Sequence, residues 1–360
     1  MQRSNTTRMV VAGAVALAAM TGCAVEEGDR HSTSTSAVAT PCPVCDNSPF
    51  AGRLAIHDLN LRGELNSERF SLPTVNNAAQ IIQGSTFYDL HVVLGFLKGK
   101  QTGLDILMHD ALVGAVIPIQ RDGIPYEIVI REVHTHKYVV APLWGLETYT
   151  LGWREVGGPE TNPCAVSTPP STDPINGQAE WHFDEVVMFE GDRINAETKS
   201  MSDTADDHWI NIACAGDALS KLLATRNTVH SQAAGLPSAW QQRQAALRMI
   251  VADYCGTGKA FTVQGQKLVW QGDGTTYGFA PDVLEARWTE HGASCIHAPR
   301  MLFPTTQEGQ TAFPDIWQSI ASECQPVMCT DLDPLNYDGA YFVSAKPKAP
   351  RPPLIWPPIN

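Results

Sequence analysis

The chain lacks any apolar run long enough to span a bilayer as a helix. The clearest one, Met9 to Met20 (MVVAGAVALAAM), has 12 residues where a spanning helix needs about 20. It also lacks a basic run longer than two residues. Its 25 Lys+Arg stand against 38 Asp+Glu, for a formal charge of −13. Nucleic-acid binding, which needs clustered Lys and Arg on the phosphates, is thereby excluded. No helical His-Glu-x-x-His zinc motif and no Gly-x-Ser-x-Gly nucleophile elbow occur. Gly256-Thr257-Gly258-Lys259 looks like the end of a phosphate loop. However, Asp253 stands where that motif needs its first glycine, and Ala260 where it needs Ser or Thr. No internal repeat is visible.

What is present points out of the cytoplasm. Arg3 and Arg8 precede the apolar run, and small residues follow it, which is the three-part pattern of an export signal over residues 1–22. The signal ends in Met20-Thr21-Gly22-Cys23, which resembles a bacterial lipobox. Cys23 is therefore the expected lipidation site, and the membrane is the first expected partner, through that anchor. Cleavage there removes two arginines and no acid, taking the formal charge from −13 to −15. Ala24, a residue other than Asp after the cysteine, favours the outer membrane by analogy with the enterobacterial sorting rule. Of nine cysteines, eight remain: Cys42, Cys45, Cys164, Cys214, Cys255, Cys295, Cys324 and Cys329. An even number in an exported chain reads as disulfides.

Residues 23–49 read as a tether; His31 to Ser36 is polar and unpatterned, so it has no core to bury. Residues 50–156 are predicted to be β-rich. Leu112 to Ile119 and Tyr126 to Val133 flank Arg121-Asp122-Gly123, a hairpin signal because Asp and Gly tolerate positive φ. A further strand is predicted over Glu147 to Trp153. Glycines and prolines from Gly157 to about residue 180 mark the expected domain boundary. Beyond it, helices are predicted over Ile212 to Arg226 and from about Trp240 to Tyr254. Ser238 and Gln241 are placed to form a capping box on the second helix, and Gly256 to close it. Short strands follow at Ala260 to Val263 and Lys267 to Trp270. Residues 346–360 form a proline-rich tail.

The run Val251-Ala252-Asp253-Tyr254-Cys255-Gly256-Thr257-Gly258 resembles the signature of the ADYC-domain family of exported, mainly myxobacterial proteins. Trp209 to Gly216, Phe189 to Arg193, and Glu285 to Trp288 leading to Gly292-Ala293-Ser294-Cys295 are similar to that family as well. The resemblance covers most of residues 110 to 300. It implies an exported domain of unknown function and carries over no catalytic residues.

Asp253, Tyr254, Cys255 and Gly256 are thus expected to be structural. Cys255 ends a helix, where the dipole raises a thiol pKa, which argues for a bridge over a nucleophile. Asp253 opposes that dipole and needs a partner, a backbone N–H or an arginine such as Arg287 or Arg300. The pairings expected are Cys255–Cys295, Cys164–Cys214, Cys42–Cys45 and Cys324–Cys329. Cys42-Pro-Val-Cys45 also has redox-pair spacing, but without a strand-helix unit around it. Glu132, His134 and His136 alternate on one strand and form the best candidate zinc ligands. Asp206-Asp207-His208 is a weaker set of the same types. The scattered tryptophans read as core or bridge-packing residues.

The fold class expected is α+β: a β-rich domain over 50–156, then a disulfide-bonded ADYC-like domain over 157–345 with two helices and further short strands. The function expected is non-catalytic binding or structural work at the envelope or cell surface, on a protein or glycan partner and without a cofactor. The alternative is a metal-dependent hydrolase using Glu132, His134 and His136, with zinc as the cofactor.

Overall fold

The computed structural model describes residues 46–47, 50–52, 54–137, 145–164, 184–230, 239–262, 266–267, 269–272, 275–277, 283–300, 316–332 and 337–346. Cys23, Cys42, Cys45, Ser238, the tether up to residue 45 and the tail from residue 347 lie outside the described residues.

The Asp122-Gly123 turn is where sequence and structure meet most directly. Both residues have positive φ, 52° and 82°, the requirement of a two-residue hairpin turn whose twist matches its strands. It joins β6 (Val116–Arg121) to β7 (Ile124–Lys137), and β7 pairs in turn with β8 (Gly145–Glu155). These strands are the middle of a 12-stranded antiparallel sheet. On one side of them run β2 (Ala78–Gln83), β3 (Thr86–Val93), β4 (Phe96–Gln101) and the edge strand β5 (Leu104–Leu107). On the other run β9 (Glu185–Gly191), β12 (Asp206–Cys214) and the short edge strand β1 (Asp58–Asn60). Strands from both sides of residues 157–180 thus share one sheet, β8 pairing directly with β9. All described residues fall in one compact unit.

β9 (EVVMFEG) is buried at every position. Val186 and Met188 face a core with Ile117, Ile128 and Ile212. Val187 and Phe189 face a second core with the helices. A continuous apolar run is what burial on both faces requires. The helical layer consists of α1 (Ala218–Ala224) and α2 (Trp240–Val251). A five-stranded sheet packs on its far side, in the order β14 (Thr275–Tyr277), β13 (Val269–Gly272), β17 (Phe342–Lys346), β15 (Val283–Thr289), β16 (Gly292–Ile296). The helix α3 (Ile316–Glu323) follows β16 in the chain. The α+β expectation holds.

Several local expectations are corrected. Residues Ile212 to Cys214 are strand, not helix, and α1 begins only at Ala218. Apart from Asn211, the run Trp209 to Cys214 is apolar, and burial within the sheet decides it. α2 starts with Ala239 as its N-cap and no side-chain cap. It ends on Ala252 in the left-handed conformation (φ 55°), the place expected of Gly256. Ala260 to Thr262 is not a strand. Among the described residues the bridges are Cys164–Cys214, as expected, and Cys255–Cys324 and Cys295–Cys329 in place of Cys255–Cys295 and Cys324–Cys329.

Candidate functional site

The segment after α2 is a knot of saturated polar groups. Asp253 is fully buried. It accepts from the backbone N–H groups of Thr257 (3.1 Å) and Gly258 (2.7 Å) and pairs with Arg248. Burial pushes its carboxyl up, and Arg248, the Gly258 N–H and Lys199 pull against that rise. The partners are thus the helix's own arginine and the following turn, not Arg287 or Arg300. Tyr254 donates to Glu285 Oε1 (2.7 Å) and accepts from the Arg300 N–H (2.8 Å), while its ring stacks on Trp288 at 5.1 Å. Arg300 pairs with Glu285 (2.7 Å) and donates to the carbonyls of Met249 and Ile250 in the last turn of α2. Cys255 is bridged to Cys324. A Cβ on Gly256 would sit 2.1 Å from the His291 carbonyl oxygen.

This knot reaches a hairpin made of β10 (Ile194–Asn195) and β11 (Ser200–Met201). Arg248 donates to Thr198 O (2.9 Å), Lys199 Nζ to Gly258 O, and Gln244 to Lys199 O (2.9 Å). Gly258 has φ +92°, and a Cβ there would lie 2.7 Å from Thr198 Cα. Only glycine allows so close an approach. The signature residues therefore clamp a hairpin that lies far from them in sequence.

The hairpin also lines a cavity of about 310 Å³ that is open to solvent on one side, with Asp58 of β1 and His57 before it among the other lining residues. His57, Asp58, Arg193, Asn195, Ser200 and Ser202 line it. The two nitrogens of His57 face the carbonyls of Leu54 (3.1 Å) and Ile194 (3.2 Å). Asp58 is 2% exposed. Its Oδ1 lies 3.2 Å from His57 Nε2 yet accepts no hydrogen bond among the described residues. Its Oδ2 lies 3.8 Å from Arg193 Nε, an ion pair too long to be a hydrogen bond. Burial raises the Asp58 carboxyl above its ordinary range, with His57 and Arg193 opposing. Arg193 lies over the Trp209 ring at 4.2 Å. The sequence signal for this site was an imidazole and a carboxylate, His57-Asp58, set between Ile56 and Leu59 of an otherwise apolar run. Arg193 carried no signal at that distance.

Glu132, His134 and His136 do share a face of β7. His134 lies 3.2 Å from Glu132, and His136 hydrogen-bonds Glu185 on β9 at 2.9 Å. Glu185 is 1% exposed and also accepts from Thr148. Among the described residues, no three of His, Cys, Asp and Glu are placed to hold a metal ion. Asp206 and Asp207 pair separately, with His208 (2.6 Å) and His230 (2.7 Å). Burial alone would raise Glu185, but the hydrogen bonds from His136 and Thr148 outweigh it and hold its pKa below the ordinary 4.5. A depressed carboxylate stabilises the fold above its unfolded pKa and loses that contribution as pH falls through its folded value. Glu185→Gln should therefore flatten the fall in urea midpoint on acidification below about pH 4.5. An unchanged acid limb would count against this coupling. On the opposite face of β8, Glu147 accepts from His109 and from Tyr149 (2.8 Å), an array the sequence reading missed.

Trp209, Trp270 and Trp288 are buried. The model of the ADYC domain family matches residues 109–302. No curated protein and no solved structure matches.

Proposed function

The chain belongs to the ADYC-domain family, and from that premise we propose that it is an exported envelope or cell-surface protein, held by lipid on Cys23, with a binding or structural role rather than a catalytic one. The observation that carries this reading is the use to which the signature is put. Asp253, Tyr254 and Cys255 are consumed in ion pairs, backbone hydrogen bonds and a bridge. Their geometry supports the hairpin beside the cavity. Three bridges are compatible with an oxidising compartment. No helix of the described residues is long and apolar enough to cross a membrane. Ala24 makes the outer membrane the destination in this proposal.

Intact mass spectrometry of the mature protein, before and after reduction, tests it. The expected species begins at Cys23 with lipid attached and gains two hydrogens per bridge on reduction. Cys23→Ser should abolish the lipid mass. An unlipidated N-terminus in the wild type would overturn the anchor.

A further inference from the structure

The cavity beside the hairpin holds two opposite charges that do not satisfy one another. Asp58 is buried on its floor, its Oδ1 3.2 Å from His57 Nε2 and accepting no hydrogen bond among the described residues. Arg193, 48% exposed at the side chain, stands at its rim and rests on Trp209. An ionised carboxylate is acceptor-only, so what it lacks is a donor, and a charged donor compensates it best. At the rim the opposite is wanted. Arg193 is donor-only. Asn195 spends its Oδ1 on the N–H groups of Glu197 (3.0 Å) and Thr198 (2.8 Å), which leaves its amide NH₂ as the group it can offer. The hydroxyls of Ser200 and Ser202 also line the cavity but are engaged with Thr198 Oγ1 and with the Thr204 carbonyl (3.0 Å), so the donors on offer are Arg193 and Asn195.

We propose that this cavity binds the head group of a free α-amino acid, with the ammonium on Asp58 and the carboxylate on Arg193 and Asn195. The inference rests on the binding role proposed above. A zwitterion reverses the polarity of the site and leaves its net charge unchanged. A simple anion would face Asp58, and a simple cation would face Arg193. A neutral sugar would bring no charge to complement either one, leaving only their long 3.8 Å ion pair. The indole face on which a sugar ring could lie is covered by Arg193. At about 310 Å³ the cavity is at the small end of the roughly 300–1,000 Å³ of ligand sites, which limits the ligand to residue size.

The test is a set of calorimetric titrations of the full mature protein with free amino acids, their N-acetyl and methyl-ester forms, monosaccharides and inorganic phosphate. Free amino acids should bind saturably. A charge-assisted hydrogen bond contributes about 1.5–3 kcal/mol, so N-acetylation and esterification should each weaken binding about tenfold or more. Arg193→Gln should do the same in a protein whose circular dichroism shows the fold retained, while its loss of the Asp58 and Trp209 contacts shifts the melting temperature only modestly. Asp58→Asn should match N-acetylation. Equal affinity for the N-acetyl form, or no heat from free amino acids at millimolar concentration, overturns the proposal. A monosaccharide or phosphate binding in their place, with that binding lost in Arg193→Gln, overturns the ligand class and leaves a binding role standing. Flat titrations throughout remove the cavity as a binding site, whatever the mass of the N-terminus shows.

Discussion

Asp253→Ala should lower the stability of the folded protein by about 3–5 kcal/mol, the cost of removing one partner from a buried ion pair. The figure is at the high end for a single substitution, and three losses coincide to produce it. Arg248, 6% exposed, keeps only the Thr198 carbonyl. The N–H groups of Thr257 and Gly258 lose their acceptor within a turn that leaves no room for rearrangement around Gly258. The hairpin over Ile194 to Met201 loses part of its attachment, because Arg248 reaches its Thr198 carbonyl from this knot and its own Lys199 reaches back to Gly258 O. Asp253→Asn retains an acceptor for the turn and removes the charge, so it should fall between wild type and alanine. Urea unfolding with the bridges intact measures the series. Hydrogen exchange adds a readout specific to the clamp: amides of 194–201 should lose protection before those of β9. A loss under about 1 kcal/mol for alanine would mean that the knot is held by packing around Tyr254 and Trp288 alone.

What the sequence made legible, and what it hid, follows from the range of the forces involved. The β6–β7 hairpin could be read because Asp122 and Gly123 state a local backbone requirement and the alternation on either side of them is local too. The body of α2 could be read for the same reason. Its ends could not. The left-handed residue is Ala252, an alanine where glycine is the usual signal; the Asp253 N–H closes the helix end on Arg248 O (2.9 Å), and Phe261, nine residues on, donates to Ala252 O (3.2 Å). Ile212 to Cys214 was misread as the start of the helix because a short apolar run without period fits either element, and only burial on both faces selects the strand. The zinc candidates Glu132, His134 and His136 were placed on the correct face, but the buried Glu185 that engages His136 comes from another strand. The cavity was invisible for the same reason: His57 and Asp58 become a site only when Arg193 arrives from the far end of β9.

Replacing Cys255 and Cys324 together by alanine should destabilise the protein by about 4 kcal/mol. Their bridge closes a loop of 69 residues, and the chain-entropy estimate for a loop of that length is near this value. The corresponding change at Cys295 and Cys329, with a separation of 34, should cost about 0.6 kcal/mol less, because loop closure varies only as the logarithm of length. Sequence proximity misleads on these pairings, since Cys324 and Cys329 are neighbours in the chain and neither bonds the other. The physical roles differ too. The longer bridge fastens α3 to the residue that follows Tyr254, so the knot and the helix unfold as one unit. The shorter one ties β16 to the segment after α3, beside the buried Arg287, whose Nη1 lies 3.4 Å from Cys295 Sγ. Paired denaturation curves for the two double variants decide the matter. If the Cys255–Cys324 variant loses little, α3 is held through Ile316 and Ile320 in the core, and the bridge constrains a loop that is already ordered when the chain unfolds. If it loses the larger amount, the fourth residue of the signature supplies as much stability as the buried charge of the second, and the Ala-Asp-Tyr-Cys run acts as a single structural clamp.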